Sequence, residues 1–435
     1  MNKRICVAWL FLAALLLSGC TIPTVEQMYS LPKRPDSYND LQSVIDVSME
    51  NMDYSAPRSG DNQQTVQMAD LDGDGIREYL LFAKGSGERP LKILIFANTD
   101  DTFRLVDMLE CSGTSFDKVE YVQVDGKDGM ELVVGCQLSQ QVPGVVNAYA
   151  FPDLCAEQLL SVGYAELFTI DLDQNGCEEL LVLRPGEEND NAIAQLYGWQ
   201  ENGVYGCGEL VLSVPAENIR RLVGGNLTSE KKAIFITGIR NGTSAITDVC
   251  VLSDGLLVNV TSGTDAVVPL VSDYCPYPAD MDGDGIIEIP TPISGKPFPA
   301  SDTGEGYLLC WYSSSETGEQ TEKIHTYHHG AGDWYLELNP DWSERICVTR
   351  TDHTIRFHLW NQNFDSTQEI FSILVLDGQN REQQAVTDNR FVVYRSDTVI
   401  YAARMEVASG ALSMGREDLI NRFHIIYQVW KTGEI

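Results

Sequence analysis

The sequence predicts a mainly β protein: a β-propeller of about five recognisable blades followed by a smaller α+β domain. Three observations carry that expectation. An acidic, glycine-containing loop recurs along the first three-quarters of the chain. Short apolar runs of strand length flank each copy and continue between copies. Beyond residue 330 the loops stop and tryptophans gather. Short apolar runs bounded by turn residues read as strands, and four of them per unit of about fifty residues make a propeller blade. The expected division is a leader at 1–20, a tether with a short helix at 21–60, the propeller at 61–330 and the C-terminal domain at 331–435.

The leader opens with Lys3 and Arg4, continues as the apolar run from Ile5 to Leu17, and ends Leu17-Ser18-Gly19-Cys20. The apolar run is too short to span a bilayer with ordinary flanks. The ending resembles a bacterial lipoprotein lipobox at every position. That resemblance implies cleavage before Cys20, lipidation of Cys20, and anchorage on the extracytoplasmic face of a bacterial membrane, held by two or three acyl chains. Pro23, Pro32 and Pro35 suit a tether, and 40–52 suits a short helix capped by Asn39 or Asp40.

The loop appears in full three times. The first copy is Asp70-Leu71-Asp72-Gly73-Asp74-Gly75-Ile76-Arg77-Glu78, with acids at positions 1, 3, 5 and 9. The others place Asp171, Asp173, Asn175 and Glu179, then Asp280, Asp282, Asp284 and Glu288, at the same positions. Carboxylates packed this densely repel one another unless a cation neutralises them. Ca²⁺, which takes about 6–8 hard oxygens in flexible geometry, suits the set. Gly75 would turn the chain sharply, and the position-seven carbonyls of Ile76, Cys177 and Ile286 would add a backbone ligand. The loop is not an EF-hand: position 12 holds Leu81, Val182 or Thr291 rather than Glu, and the flanks are strand-like. A second unit, Val124-Asp125-Gly126-Lys127-Asp128-Gly129-Met130-Glu131, reads as a degenerate copy that has lost one residue and one carboxylate. A fourth, around 222–236, reads as a unit whose loop has decayed.

These motifs resemble the FG-GAP (VCBS-type) repeats of integrin α-subunit propellers and many bacterial surface proteins. The family pattern is Asp-x-Asp-x-Asp-Gly-x-x-Asp/Glu followed by an apolar strand. The resemblance covers about 60–330. It implies a propeller holding Ca²⁺ between the first two strands of a blade. Such propellers often have seven blades, whereas only five units are found here.

The C-terminal region shows strands at 345–349, 354–360, 370–376, 390–394 and 399–406, and a helix through 416–423 for which Ser413 is the candidate cap. His325, His328 and His329 lie close together at the domain junction. Metal binding or catalysis is one reading of them, against a structural role at a strand end. Trp311, Tyr312, Tyr327, Trp334, Tyr335 and Trp342 gather in the same region; they suit core packing, with sugar stacking or a partner hot spot as the alternative.

The formal charge of −33 argues against a nucleic-acid partner and favours divalent cations. Cys6 falls in the leader and Cys20 at the lipidation site, leaving an odd nine cysteines without CxxC or zinc spacing, which read mainly as small buried hydrophobes. No nucleophile elbow, zinc-protease helix motif or phosphate loop is present in the sequence. The favoured reading is therefore a non-enzymatic, lipid-anchored calcium-binding protein whose propeller presents a surface to a protein or glycan. A polysaccharide lyase or hydrolase on the same scaffold, and a structural envelope spacer, are the alternatives.

Overall fold

The computed structural model describes residues 36–426, apart from 100–101, 140–142, 188–189, 201–202, 264–266, 271–274, 294–305, 344, 352, 360–367 and 407–413. The leader, the lipidation site Cys20, Ser413 and Trp360 lie outside the described residues. The chain is mainly β, at 56% strand against 9% helix.

The strands form six antiparallel sheets that follow one another along the chain. In sheet I, Asp53–Tyr54 and Val66–Ala69 share one edge of Glu78–Lys84, followed by Leu91–Thr99 and Thr102–Cys111. Sheet II is a meander of Ser115–Val122, Glu131–Gln137, Gly144–Ala150 and Glu157–Tyr164. Sheet III repeats it with Glu166–Ile170, Glu179–Arg184, Ile193–Gln200 and Gly203–Val211. Sheet IV uses Ile219–Thr228, Lys231–Arg240, Ser244–Ser253 and Leu256–Asn259, with Val267–Pro269 also on Ser244–Ser253. Sheet V runs Ile289–Pro292, Gly306–Ser314, Gln320–His329 and Trp334–Leu338, and takes Phe423–Ile425 as its last strand. Sheet VI orders Ile346–Thr351, Thr354–Leu359, Gln368–Leu376, Ile400–Met405 and Phe391–Arg395.

The expected boundary at 330/331 thus falls inside sheet V, because Trp334–Leu338 pairs with Gln320–His329. The described helices beyond it are short, at Pro340–Ser343, Arg381–Gln384 and Arg416–Asn421. The last begins after Gly415 and buries Leu419.

In sheets I to IV the strands Glu78–Lys84, Glu131–Gln137, Glu179–Arg184 and Lys231–Arg240 carry apolar runs because both of their faces are covered. Glu179–Arg184 shows how. Side chains alternate along a strand, so Leu180 and Val182 join Val133 and Val146 of sheet II. Leu181 and Leu183 face the other way, against Ile234 and Ile236 of sheet IV. The same rule joins I to II, where Phe82 meets Phe116 edge-on at 5.1 Å. Ile239 and Val268 pack with Leu309 and Trp311 between IV and V. Tyr327 and Trp334 pack with Phe357 and Phe371 between V and VI. The tryptophans expected as core, Trp311, Trp334 and Trp342, are buried.

The two terminal faces are covered differently. Helix Asp36–Ser48 lays Leu41 and Ile45 over Leu81, Ala83, Leu94 and Phe96 of sheet I. Ala385, at the end of helix Arg381–Gln384, covers Ile400 and Ala402 of sheet VI. Among the described residues, no shared core joins sheet VI to sheet I.

Candidate metal centres

The acidic loops sit between the first and second strands of sheets I and III. In sheet V the loop lies at the matching place, but the first strand is reduced to the bridge Ala279↔Glu288. Each loop is built by its own side chains. In the first, Asp70 Oδ1 accepts from Gly73 N–H at 2.9 Å and Asp70 Oδ2 from Gly75 N–H at 3.0 Å. Asp72 Oδ1 accepts from Asp74 N–H at 3.2 Å. Asp280 and Asp282 repeat these bonds on Gly283, Gly285 and Asp284. Asp171 and Asp173 both accept from Asn175 N–H, and Asp171 also from Gly176. Position four is left-handed in each loop, by Gly73 (φ 76°), Gly283 (φ 78°) and, without glycine, Gln174 (φ 62°). The N–H of the position-seven residues Ile76, Cys177 and Ile286 donates to the position-five side chain at 2.6, 2.7 and 2.9 Å.

The ninth-position glutamate closes the loop from inside the sheet. Glu78 Oε2 accepts from Leu71 N–H at 2.9 Å, Glu179 from Leu172 at 2.7 Å and Glu288 from Met281 at 2.8 Å. All three glutamates are buried, Glu288 completely. Burial, with the loop aspartates beside them, lifts each carboxyl from 4.5 to about 7. Its other oxygen in Glu288 is buried without a hydrogen-bond partner. Positions 1, 3 and 9 of each loop bring one oxygen apiece within 4.8 Å of one another. That spacing suits oxygens around a calcium ion at 2.3–2.6 Å, roughly 3–5 Å apart. In the 280–288 loop this buried oxygen without a hydrogen-bond partner is of the kind that fits a cation ligand.

The position-five residues Asp74 and Asp284 stand outside these triads. Asp284 is held by Lys323 Nζ at 2.6 Å, with Asp282 at 3.9 Å. That hydrogen bond pulls the Asp284 carboxyl below its usual range.

The second unit corrects one expectation: it has lost no residue. Glu131 Oε2 accepts from Val124 N–H at 2.7 Å across the same seven-residue interval, which puts Gln123 at position 1. Gln123 Oε1 duly accepts from Gly126 N–H at 2.9 Å, as Asp70 does from Gly73. At position 5 stands Lys127, whose ammonium lies 2.6 Å from Asp125 Oδ2 and over the Trp199 ring at 5.2 Å. This loop carries a lysine ammonium at the position where the others carry Asp74, Asn175 and Asp284.

Successive loops touch. A side chain at Gly73 would meet Asp128 at 2.5 Å, and one at Gly129 would meet the Leu71 carbonyl at 2.5 Å. Gln123 and Glu178 exchange two hydrogen bonds, Glu178 N–H to Gln123 O at 2.7 Å and Gln123 N–H to Glu178 Oε2 at 2.6 Å. Gln174 donates to Glu230 O at 2.9 Å in the fourth hairpin. Asn226 of sheet IV donates to Gly285 O and accepts from Ile287 N–H, both at 2.9 Å. The loops therefore form one continuous belt across sheets I to V.

A second feature lies where the first strands of sheets II, III and IV meet. A cavity of about 530 Å³ is lined by four bases, Arg58, Lys118, Arg220 and Arg221, and two acids, Asp61 and Glu166. In a chain of formal charge −33 this concentration of bases stands out. Lys118 pairs with Glu120 at 3.1 Å, and Arg221 lies 5.2 Å over the Tyr277 ring. Nothing in the spacing of these residues along the sequence announces them.

The three histidines are buried. Burial holds His328 neutral down to about pH 3 and His329 to about 4. No disulfide joins the nine cysteines of the described residues; seven are buried, Cys155 is exposed and Cys177 half-buried.

No model of a known protein family matches the sequence, and no curated protein sequence matches it. Among solved structures, the exotype rhamnogalacturonan lyase YesX is similar at 11% identity and a TM-score of 0.31, over 70% of this chain and 68% of that one. A protein from Lactobacillus plantarum is similar at 12% and 0.31, over 72% and 85%. The β-propeller domain of the Trilobed protease from Pyrococcus furiosus is similar at 12% and 0.26, over 72% and 89%. At such TM-scores the likenesses carry no chemistry over to this chain.

Proposed function

We propose that the chain is a lipid-anchored, extracytoplasmic, non-enzymatic calcium-binding protein built as an FG-GAP-like β-propeller, in which sheets I to VI are the blades. Cys20 carries the anchor. Ca²⁺ is held by Asp70, Asp72, Asp74, the Ile76 carbonyl and Glu78, and by the equivalent groups of the loops at 171–179 and 280–288. The observation that carries the reading is the triad of converging oxygens in each full loop, with a buried glutamate in every triad. Because each loop also bears on the next, an ion in a loop stiffens the joint between sheets. The role of calcium is therefore structural, suited to the millimolar calcium outside a cell. The stiffened sheets hold the Arg58–Lys118–Arg220–Arg221 cavity in a fixed shape, and an acidic glycan or a peptide carboxylate is the ligand class it fits.

The test is thermal unfolding in excess EDTA and in millimolar Ca²⁺. An ion bound only by the native state raises the melting temperature. The rise is expected to vanish when Asp70, Asp171 and Asp280 are all changed to Ala. Equal melting with and without calcium would remove the metal assignment. Incorporation of labelled palmitate that is lost in Cys20→Ala tests the anchor.

A further inference from the structure

Sheet V holds a second kind of ligand cluster, built from residues outside the acidic loops. Along an ideal strand Glu322 and His325 would point to opposite faces, being three residues apart. The pairing of Gly306–Ser314 with Gln320–His329 slips at one point: Trp311 opposes Ile324, but Tyr312 opposes Glu322. Lys323 is the extra residue of a β-bulge, and bulges re-aim side chains. Glu322 and His325 are thereby turned to one face, where Cys310 is the direct cross-strand partner of His325. The thiol of Cys310, a carboxylate oxygen of Glu322 and an imidazole nitrogen of His325 all come within 4.8 Å of one another.

The imidazole is also oriented. Its Nδ1 hydrogen-bonds Ser343 Oγ, from the short helix Pro340–Ser343 that covers this face. Nε2 is left to point at the cluster. Glu322 Oε1 lies 2.9 Å from it but out of line, so Nε2 is buried without a well-directed hydrogen bond. His325 is 6% exposed and Cys310 3%, and Ser343 is fully buried, whereas the Glu322 side chain is 47% exposed and gives the cluster its opening. A thiolate, an imidazole fixed through its other nitrogen by an outer partner, and a carboxylate form the mixed N, S, O set that divalent zinc takes. Around a tetrahedral ion such ligand atoms sit roughly 3.4–3.8 Å apart. Small side-chain rotations therefore close the cluster.

We propose that Cys310, Glu322 and His325 bind a zinc-type transition-metal ion, with Ser343 as the positioning residue for the histidine. Three protein ligands leave the fourth position to water or to an incoming ligand at the exposed Glu322 side. The site does not depend on the calcium reading, since it shares no residue with the loops.

The full chain, with calcium in excess to occupy the acidic loops, is titrated with Co²⁺ and followed by absorption. One equivalent of cobalt with a thiolate charge-transfer band, displaced by one equivalent of Zn²⁺, is expected. Cys310→Ser should abolish the band. Glu322→Ala, at a half-exposed position that leaves the core intact, and Ser343→Ala should each weaken zinc at least about tenfold. A cobalt complex without the thiolate band, a band that survives Cys310→Ser, or zinc affinity unchanged in Glu322→Ala would overturn the assignment.

Discussion

Replacing Glu288 by Gln separates what the buried carboxyl does without metal from what it does with calcium. In the metal-free chain this carboxyl is lifted from 4.5 to about 7 by burial and by Asp282, Asp284 and Asp280. The sign follows from linkage: below about pH 4.5 the group is protonated in both folded and unfolded chains. Between 4.5 and 7 the unfolded chain ionises first, so folding stability falls as pH rises and levels off above about 7. The difference is worth about 3 kcal/mol at most. Glutamine imitates the protonated acid and keeps an oxygen for the Met281 N–H that now donates at 2.8 Å. In EDTA at pH 8, Glu288→Gln should therefore be more stable than the parent by about 2–3 kcal/mol, and near parity at pH 4.5. In saturating calcium the order inverts, because the parent gains about 2.7 kcal/mol at a hundredfold excess over Kd and the variant has lost a ligand. Urea unfolding at the two pH values, with and without calcium, reads all four states. A variant that is less stable than the parent in EDTA at pH 8, or a parent whose metal-free stability is flat from pH 4.5 to 7, refutes the reasoning.

Other perturbations test neighbouring links. Changing Gln123 and Lys127 together to Asp rebuilds positions 1 and 5 of the second loop, and calorimetry should then count one additional calcium equivalent. Lys323→Ala removes a cation 2.6 Å from Asp284, so calcium at the 280–288 loop should tighten several-fold; weaker binding would mean that Lys323 orders the loop instead. Gly73→Ala puts a methyl 2.5 Å from Asp128 at a left-handed position, and a loss of about 1–3 kcal/mol is expected in chemical denaturation. Phe82→Ala empties a fully buried site against Phe116 and should cost about 3–5 kcal/mol.

Much of this architecture can be read from residues alone, because two signals are local. Apolar runs such as Leu80-Leu81-Phe82 mark strands buried on both faces, and the nine-residue acidic string marks the turn before them. The strands expected at 354–360 and 370–376 appear as Thr354–Leu359, where Ile355 and Phe357 alternate with polar residues, and Gln368–Leu376, which carries an apolar run. What was not legible depends on pairing at a distance. Trp334–Leu338 extends sheet V across the expected boundary, and Phe423–Ile425 reaches the same sheet from nearly a hundred residues on. No local pattern encodes that partner. Gln123 looks like an ordinary polar residue until the Glu131 hydrogen bond fixes its position. Cys310 and His325 become neighbours only through strand register, and Glu322 joins them only because a bulge breaks the period of two.

The helices over the two outermost faces bear on how the molecule comes apart. Among the described residues every shared core joins a sheet to the next in sequence, so cohesion passes along the array like tension along a chain of links. Breaking one joint, for instance the Leu180–Val146 contact zone between II and III, leaves pieces that each keep intact cores of their own. Unfolding should therefore proceed by segments, with intermediates ordered on one side of the broken joint. On the calcium reading proposed above, an ion in a loop would move that breaking point, since it would strengthen the joints beside its own loop and not the distant ones.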